Sequence, residues 1–173
     1  YKRQENASYS REFAFSKSTG RPAVLNTKPN DSYTFEGASL LVDGYHSRPV
    51  FTSGAWLGYL DEPLDVTIDM GGEQSYRSVE LETLAEKGDW IFPPSSVTVW
   101  VSDNGTDFTE VASVAVPEAK AGDADGIGRY RMQFPETSAR YLKVVAQNAA
   151  AIPAWHPGAG SKGFLFVDEV VVE

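Results

Sequence analysis

Leu64-Asp65-Val66-Thr67-Ile68-Asp69-Met70 is a stretch in which apolar and polar side chains alternate at every position. Alternation with a period of two places the apolar side chains on one face of a β-strand and the polar ones on the other. The same pattern recurs in Val97-Thr98-Val99-Trp100-Val101 and in Tyr130-Arg131-Met132-Gln133-Phe134. The sequence therefore predicts strands with one buried face and one solvent-exposed face.

Clusters of Gly, Pro, Asn and Asp separate further strand candidates, and no long helical pattern competes with them. The additional predicted strands are residues 78–83, 108–114, 141–146 and 164–172. Seven or more short strands at this spacing predict an all-β sandwich or jelly roll. We expect one domain over residues 13–173, because the length suits a single core, and a polar linker or lead-in over residues 1–12.

The charge balance is acidic, with 24 Asp and Glu against 15 Lys and Arg, which gives a net charge of −9. The basic residues are scattered, which argues against nucleic acid and against anionic membrane surfaces as partners. The absence of cysteine excludes disulfides, thiolate metal sites and cysteine nucleophiles. Because the chain begins at Tyr1 without Met, we expect it to be a portion of a longer protein.

The sequence contains no recognisable set of catalytic residues. His46 and His156 lie without a His/Cys cluster around them, and no Gly-x-Ser-x-Gly elbow occurs. Pairs of carboxylates could be assembled in almost any acidic chain, so they do not indicate glycoside hydrolysis. We therefore expect a domain without catalytic activity of its own.

Two carboxylates interrupt the apolar stretch Phe164-Leu165-Phe166-Val167-Asp168-Glu169-Val170-Val171-Val172. Acidic groups in a buried strand require a partner, since an uncompensated charge is costly to remove from water. A cation is a good candidate for that partner.

Two tryptophans occur in predicted loops, Trp90 in Asp89-Trp90-Ile91-Phe92 and Trp155 in Pro153-Ala154-Trp155-His156-Pro157. One interpretation is that each indole closes the open end of the sandwich as part of the core. The other is a binding surface, because sugars stack their C–H faces on aromatic rings and bond through hydroxyls to polar neighbours. Asp89, His156 and Lys162 lie near these tryptophans in sequence and favour the second interpretation.

An ordered set of short segments resembles a discoidin domain, the coagulation factor 5/8 C-type fold, whose bacterial members form carbohydrate-binding module family 32. Its segments are Leu41-Val42-Asp43-Gly44, Trp56-Leu57-Gly58, Leu64 through Gly71, Val99-Trp100-Val101-Ser102-Asp103-Asn104-Gly105, Ala139-Arg140-Tyr141-Leu142-Lys143-Val144 and Asp168-Glu169-Val170. Residues 86–92 and 152–156 also look like the module attached to bacterial β-hexosaminidases of glycoside hydrolase family 20.

The resemblance implies an eight-stranded antiparallel jelly-roll β-sandwich that binds glycans through loops at one end and holds a structural calcium ion. The family pattern places the metal-binding side chains at Asp43 and Glu169, with carbonyl donors at Leu40, Tyr45 and Asp168. The family's eukaryotic members usually carry a disulfide that this chain lacks. The resemblance therefore favours the bacterial sugar-binding branch and an extracellular, periplasmic or cell-surface location.

The expected function is that of a non-catalytic carbohydrate-binding module that directs an attached glycoside hydrolase, a β-hexosaminidase by the resemblance, to glycans bearing N-acetylhexosamine or galactose. The predicted sugar-contacting residues are Trp90, Trp155, His156, Asp89, His46, Arg48 and Lys162. The alternative is a structural module that packs against the catalytic domain of the same chain. Phospholipid binding through apolar spikes such as Phe51, Trp90 and Phe92 is disfavoured by the negative charge.

Overall fold

The computed structural model describes residues 12–173, so the predicted lead-in falls almost wholly outside the described residues. The strands are β1 (Glu12–Phe13), β2 (Ala23–Leu25), β3 (Tyr45–His46), β4 (Leu57–Tyr59), β5 (Leu64–Ala85), β6 (Ser96–Ser102), β7 (Thr109–Ala115), β8 (Gly126–Gln147) and β9 (Leu165–Val172). In the described part of the chain, four short 3₁₀ turns connect them, at Asp31–Tyr33, Gly37–Val42, Phe51–Ser53 and Lys87–Asp89.

All strand pairs are antiparallel, and two long strands organise the sheet. The main sheet has the order β4-β9-β5-β8-β6-β7, with β2 added beside β5, while β1 and β3 form a separate two-stranded ribbon. The first half of β5 pairs with β2 and with the second half of β8, and its second half pairs with β9 and the first half of β8. β5 and β8 thus pass through both layers of an antiparallel sandwich.

The predicted fold class is confirmed, and the alternating pattern has the expected cause. Leu64, Val66 and Ile68 are buried in the central core, while the intervening polar residues of β5 are only partly buried. Predicted strands 64–70 and 78–83 belong to one continuous strand, which shifts register between Asp69 and Gln74. Gly71 lies in that irregularity with a φ of 80°, a conformation that a residue with a side chain rarely adopts.

A second apolar cluster supports the loops at one end of the sandwich. It consists of Trp56, Leu84, Ile91 and Phe166, with partly buried rings such as Tyr33 packed against it. The Tyr33 and Phe166 rings meet edge to face, with centroids 4.7 Å apart. Across residues 12–173 we find no helix with the length and apolar character needed to cross a membrane.

Candidate functional site

The turn after β5 fixes the backbone of Trp90. The Trp90 amide donates to the carbonyl of Lys87 at 3.0 Å, and φ of Trp90 is 64°, in the left-handed region. Its carbonyl accepts from the Phe164 amide at 2.8 Å, while the Phe92 amide donates to the Phe164 carbonyl at 2.9 Å. These bonds hold the turn against the segment before β9 while 42% of the Trp90 surface stays exposed.

The indole of Trp90 lies directly on the backbone of Gly158. A Cβ atom built on Gly158 would stand 2.8 Å from Cζ2 of Trp90, closer than real Cβ atoms approach other atoms. The Gly158 amide donates to Nδ1 of His156 at 3.0 Å. Glycine at this position therefore lets the ring and the loop backbone come together.

His156 is buried beneath the exposed indoles. Its Nε2 lies 2.9 Å from the Lys87 carbonyl, which can only accept, and its Nδ1 accepts from Gly158. Both contacts are satisfied by the tautomer with hydrogen on Nε2. The imidazole meets Trp90, Trp155 and Phe92 edge to face, with centroids 6.0, 5.6 and 5.5 Å away. His156 is thus the central support of an aromatic cluster.

Trp155 completes this cluster on the other side of His156. Its Nε1 donates to the Ala119 carbonyl at 2.9 Å, and 40% of its surface is exposed. A groove of about 350 Å³ lies beside it, lined by Phe92, Pro94, Val116 and Ala154 among others. We call Trp90, His156 and Trp155 the aromatic platform.

Carboxylates accompany the platform. Asp89 is exposed, and its carboxyl group contacts that of Glu86. Partial burial raises the pKa of Glu86, and the neighbouring charges of Asp89 and Asp125 raise it further. The surroundings of Trp90 therefore carry acidic groups that can accept hydrogen bonds.

The structure places the other three predicted sugar-contacting residues in different surroundings. His46 Nδ1 lies 2.9 Å from the Glu82 carboxylate, and the Arg48 carbonyl accepts from Nε1 of the buried Trp56 at 3.0 Å. Lys162 Nζ donates to Asp61 at 2.6 Å. The structure thus brings together Trp90, Trp155 and His156, with Asp89 adjacent in the chain, and their sugar contacts stay predictions.

The predicted calcium-binding side chains meet at the other candidate site. Asp43 and Glu169 are in hydrogen-bond contact, although 126 positions separate them in the sequence (169 − 43). The Gly44 amide lies 3.3 Å from both carboxylate oxygens of Glu169, and Asp43 accepts from the Tyr45 amide at 2.7 Å. Asp168 accepts from the Ser47 amide at 2.7 Å. We call Asp43, Asp168 and Glu169 the carboxylate cluster.

The carboxylate cluster concentrates acidic groups in a buried place. Burial raises the pKa of Glu169 to about 9 and that of Asp168 to about 8, with neighbouring carboxylates adding to both shifts. Two touching carboxyl groups repel each other unless they share a proton or a cation. Side chains alone do not complete such a site, since no group of three or more His, Asp or Glu within residues 12–173 has a metal-holding arrangement. Main-chain carbonyls, for which Leu40, Tyr45 and Asp168 are the candidates, would have to supply other ligands.

Two contributors to the platform gave no signal in the sequence. Lys87 is buried beside Asp125, and its carbonyl receives both His156 and Trp90. Ala119 acts only through its carbonyl. Neither residue type nor local spacing distinguishes these residues, because their partners lie far along the chain.

The comparison with family models identifies the chain: residues 25–162 match the F5/8 type C domain, and the chain belongs to that family. The comparison with curated protein sequences finds no match.

Similar solved structures share the fold at low sequence identity. Chitosan-binding module 1 of a chitosanase/glucanase from Paenibacillus sp. IK-5 is 16% identical with a TM-score of 0.57, covering 92% of this chain and 99% of that module. CpGH89CBM32-5 from Clostridium perfringens, in complex with GalNAc-β-1,3-galactose, is 16% identical with a TM-score of 0.56, covering 87% and 93%. A fucose binding module from Streptococcus pneumoniae is 22% identical with a TM-score of 0.55, covering 91% and 94%.

Proposed function

We propose that this chain is a non-catalytic carbohydrate-binding module whose sugar-contacting surface is the aromatic platform. The observation that carries the proposal is the half-exposure of Trp90 and Trp155 on either side of a buried, hydrogen-bonded His156. Loops that merely closed the sandwich would be expected to bury these rings. The names of similar structures, which include chitosan-, GalNAc-β-1,3-galactose- and fucose-binding modules, support the same function.

Rigid exposed indoles suit a sugar ligand physically. A pyranose ring offers apolar C–H groups to one face of an indole, and its hydroxyls then reach neighbouring acceptors such as Asp89. Because the platform is held by backbone bonds, little conformational entropy is lost on binding. A shallow contact of this kind corresponds to roughly millimolar affinity, or about −4 kcal/mol.

The ligand we propose is a neutral sugar at the end of a glycan, N-acetylhexosamine or galactose. Glu86 and Asp89, which precede Trp90 in the same turn, would repel the carboxylates of acidic sugars, and the net charge of −9 adds to that repulsion. Hydroxyl and amide N–H groups of a neutral sugar can instead donate to these carboxylates.

The module would act by tethering. We propose that a glycoside hydrolase in the same chain, a β-hexosaminidase of an extracellular or surface-attached bacterial protein, is held near its substrate by this weak contact. A tether raises the effective concentration of enzyme at a polymeric substrate without new catalytic chemistry. We also propose that the carboxylate cluster holds a structural calcium ion through the side chains of Asp43 and Glu169.

Intrinsic fluorescence tests the proposed function. Titration of the chain with methyl glycosides of N-acetylglucosamine, N-acetylgalactosamine and galactose is expected to perturb tryptophan emission, with dissociation constants of roughly 1 mM. Trp90→Ala and Trp155→Ala should each abolish the response. Trp100→Phe, at a partly buried position on β6, is the matched control and should retain it.

If none of the three sugars perturbs emission at high millimolar concentration with calcium present, the sugar-binding proposal is wrong. The exposed indoles would then support the alternative, a module that packs against a neighbouring domain through the platform and the adjoining groove.

A further inference from the structure

We propose that residues 117–125, in the connection between β7 and β8, position Trp90 and Trp155 for ligand and so set the affinity of the platform from outside it. This inference rests on the proposed function, since it concerns the same aromatic surface. Residues 117–125 are called the bracing segment below. The segment reaches the platform at two points.

The first contact holds Trp155. Its indole Nε1 donates to the main-chain carbonyl of Ala119 at 2.9 Å. An exposed tryptophan without such a bond could rotate about its side-chain torsions. The Ala119 carbonyl fixes one edge of the ring while leaving the rest of the surface open, and 40% of the residue remains exposed.

The second contact runs through the buried side chain of Lys87. Its ammonium group donates to the Asp125 carboxylate and, at 2.9 Å, to the Asp123 carbonyl. The Lys87 amide also lies 3.2 Å from Asp125 Oδ1. Asp125 therefore holds both the side chain and the backbone of Lys87.

Lys87 contacts the platform directly through its main-chain carbonyl. Its carbonyl accepts from Nε2 of His156 at 2.9 Å and from the Trp90 amide at 3.0 Å. Displacement of this carbonyl would release the imidazole that lies between the two indoles. Asp125 thus influences Trp90 and Trp155 indirectly, through two successive sets of hydrogen bonds.

The bracing segment is itself closed by local bonds. The Lys120 amide donates to the Asp123 carboxylate at 2.8 Å, and the Asp123 amide donates to the Lys120 carbonyl at 3.1 Å. The Lys87 ammonium group loses water on burial, whereas the Asp125 side chain stays 48% exposed, so the pair adds little stability by itself. The Lys87–Asp125 pair instead fixes the bracing segment against the platform in one orientation, which an apolar contact would not do.

Breaking the Lys87–Asp125 pair should weaken the binding of sugar without unfolding the domain. If breaking the tie leaves the platform correctly formed in about one molecule in five to ten, the apparent dissociation constant rises about five- to tenfold. Asp125→Asn, measured by calorimetry with the three methyl glycosides, should show this rise. Asp123→Asn is the matched control: it removes the same charge from the same segment, keeps a side-chain oxygen that can accept from the Lys120 amide, and leaves the Asp123 carbonyl and the Lys87–Asp125 pair in place.

Further measurements separate positioning from general destabilisation. Asp125→Asn should increase iodide quenching of tryptophan emission and weaken the near-ultraviolet circular dichroism of the indoles, whereas Asp123→Asn should change neither. Lys87→Met keeps the carbonyl that receives His156 and should weaken binding to the same extent. The Asp125→Asn/Lys87→Met double variant should be no worse than either single variant, because both remove one tie. Asp125→Glu should recover part of the affinity.

The outcomes distinguish this inference from the proposed function. Equal affinity of the wild type and Asp125→Asn, with sugar bound by both, overturns the bracing segment and leaves the sugar platform standing. Absence of binding by the wild type overturns the proposed function, and the quenching and dichroism measurements then still test whether the segment holds the indoles. If Asp125→Asn fails to fold, Lys87→Met and Asp125→Glu provide the same comparison, and unchanged affinity in both overturns the inference.

Discussion

The aromatic platform and the carboxylate cluster differ in one respect. The chain itself supplies the hydrogen-bond partners of the platform, but within residues 12–173 it supplies no cation that would neutralise the cluster. In the platform, both ring nitrogens of buried His156 and the indole nitrogen of Trp155 have hydrogen-bond partners. In the cluster, buried Glu169 and Asp168 lie beside one another and beside Asp43, and their pKa values rise to about 9 and about 8. The first region is therefore preformed, whereas the second requires protons or a cation to complete it.

The largest effect that tests this comparison is stabilisation by calcium. With free calcium at a hundredfold excess over the dissociation constant, binding to the folded state alone adds about 2.7 kcal/mol. For a chain of this size, the melting temperature should rise roughly 5 to 10 °C, measured by calorimetry against metal-free protein. Asp43→Ala should remove this shift. An unchanged melting curve for the wild type would mean that protons, not calcium, neutralise the cluster.

A smaller effect on stability is expected when a methyl group is added to the tightly packed aromatic platform. Gly158→Ala would place a methyl group 2.8 Å from the Trp90 ring, which must move to accommodate it. Overpacking of this kind costs about 1 to 3 kcal/mol in the free energy of unfolding, and binding of sugar should be lost as well. Gly72→Ala, on β5 and outside the bracing segment, is the matched control, because nothing beyond its chain neighbours lies within 4 Å of the added Cβ. Equal denaturation midpoints for the two variants would show that the ring yields without cost.

The smallest effect concerns a carboxylate whose partner is present in the chain. Arg140 donates to both oxygens of Asp69, at 3.0 and 2.9 Å, and lowers the pKa of Asp69 to about 2. A lowered pKa means that the contribution to stability is complete above the unfolded value near 4 and is lost as the pH falls through about 2.

Asp69→Asn should therefore destabilise the domain at pH 7 by no more than about 1 kcal/mol, because the pair is partly exposed. Urea denaturation at pH 7 and pH 2 gives the measurement, and the difference between variant and wild type should nearly vanish at pH 2. A constant difference at both pH values would show that the asparagine acts through packing and not through the lost charge.

The strands were predictable from the sequence because period-two patterning is a local property. Residues 96–102 and 165–172 closely follow their predicted bounds, while predicted strands 130–134 and 141–146 proved to be parts of β8. Their continuity was not predictable, since β8 passes from one part of β5 to the next through a shift of register between Tyr76 and Ser78, which the alternation pattern of β8 does not show. The two-residue strands β1 and β3 are too short to show any period.

The candidate site was predictable to the extent that residue type indicates chemistry. Trp90 and Trp155 in loops suggested an exposed platform, and the two acids within a buried strand suggested a cation. The burial of His156 could not be anticipated, because it depends on the carbonyl of Lys87, which lies 69 positions earlier in the chain. For the same reason the bracing segment gave no signal: the side chain of Asp125 meets a lysine 38 positions earlier.

The two long strands have a mechanical consequence. Because β5 and β8 each run through both layers, neither layer can separate from the other without breaking the 22-residue strands that they share. A pull applied through a sugar bound at the loops would be distributed along the shared backbone of both sheets. The domain should therefore yield as a single unit under tension, as a tether between an enzyme and a polymer would require.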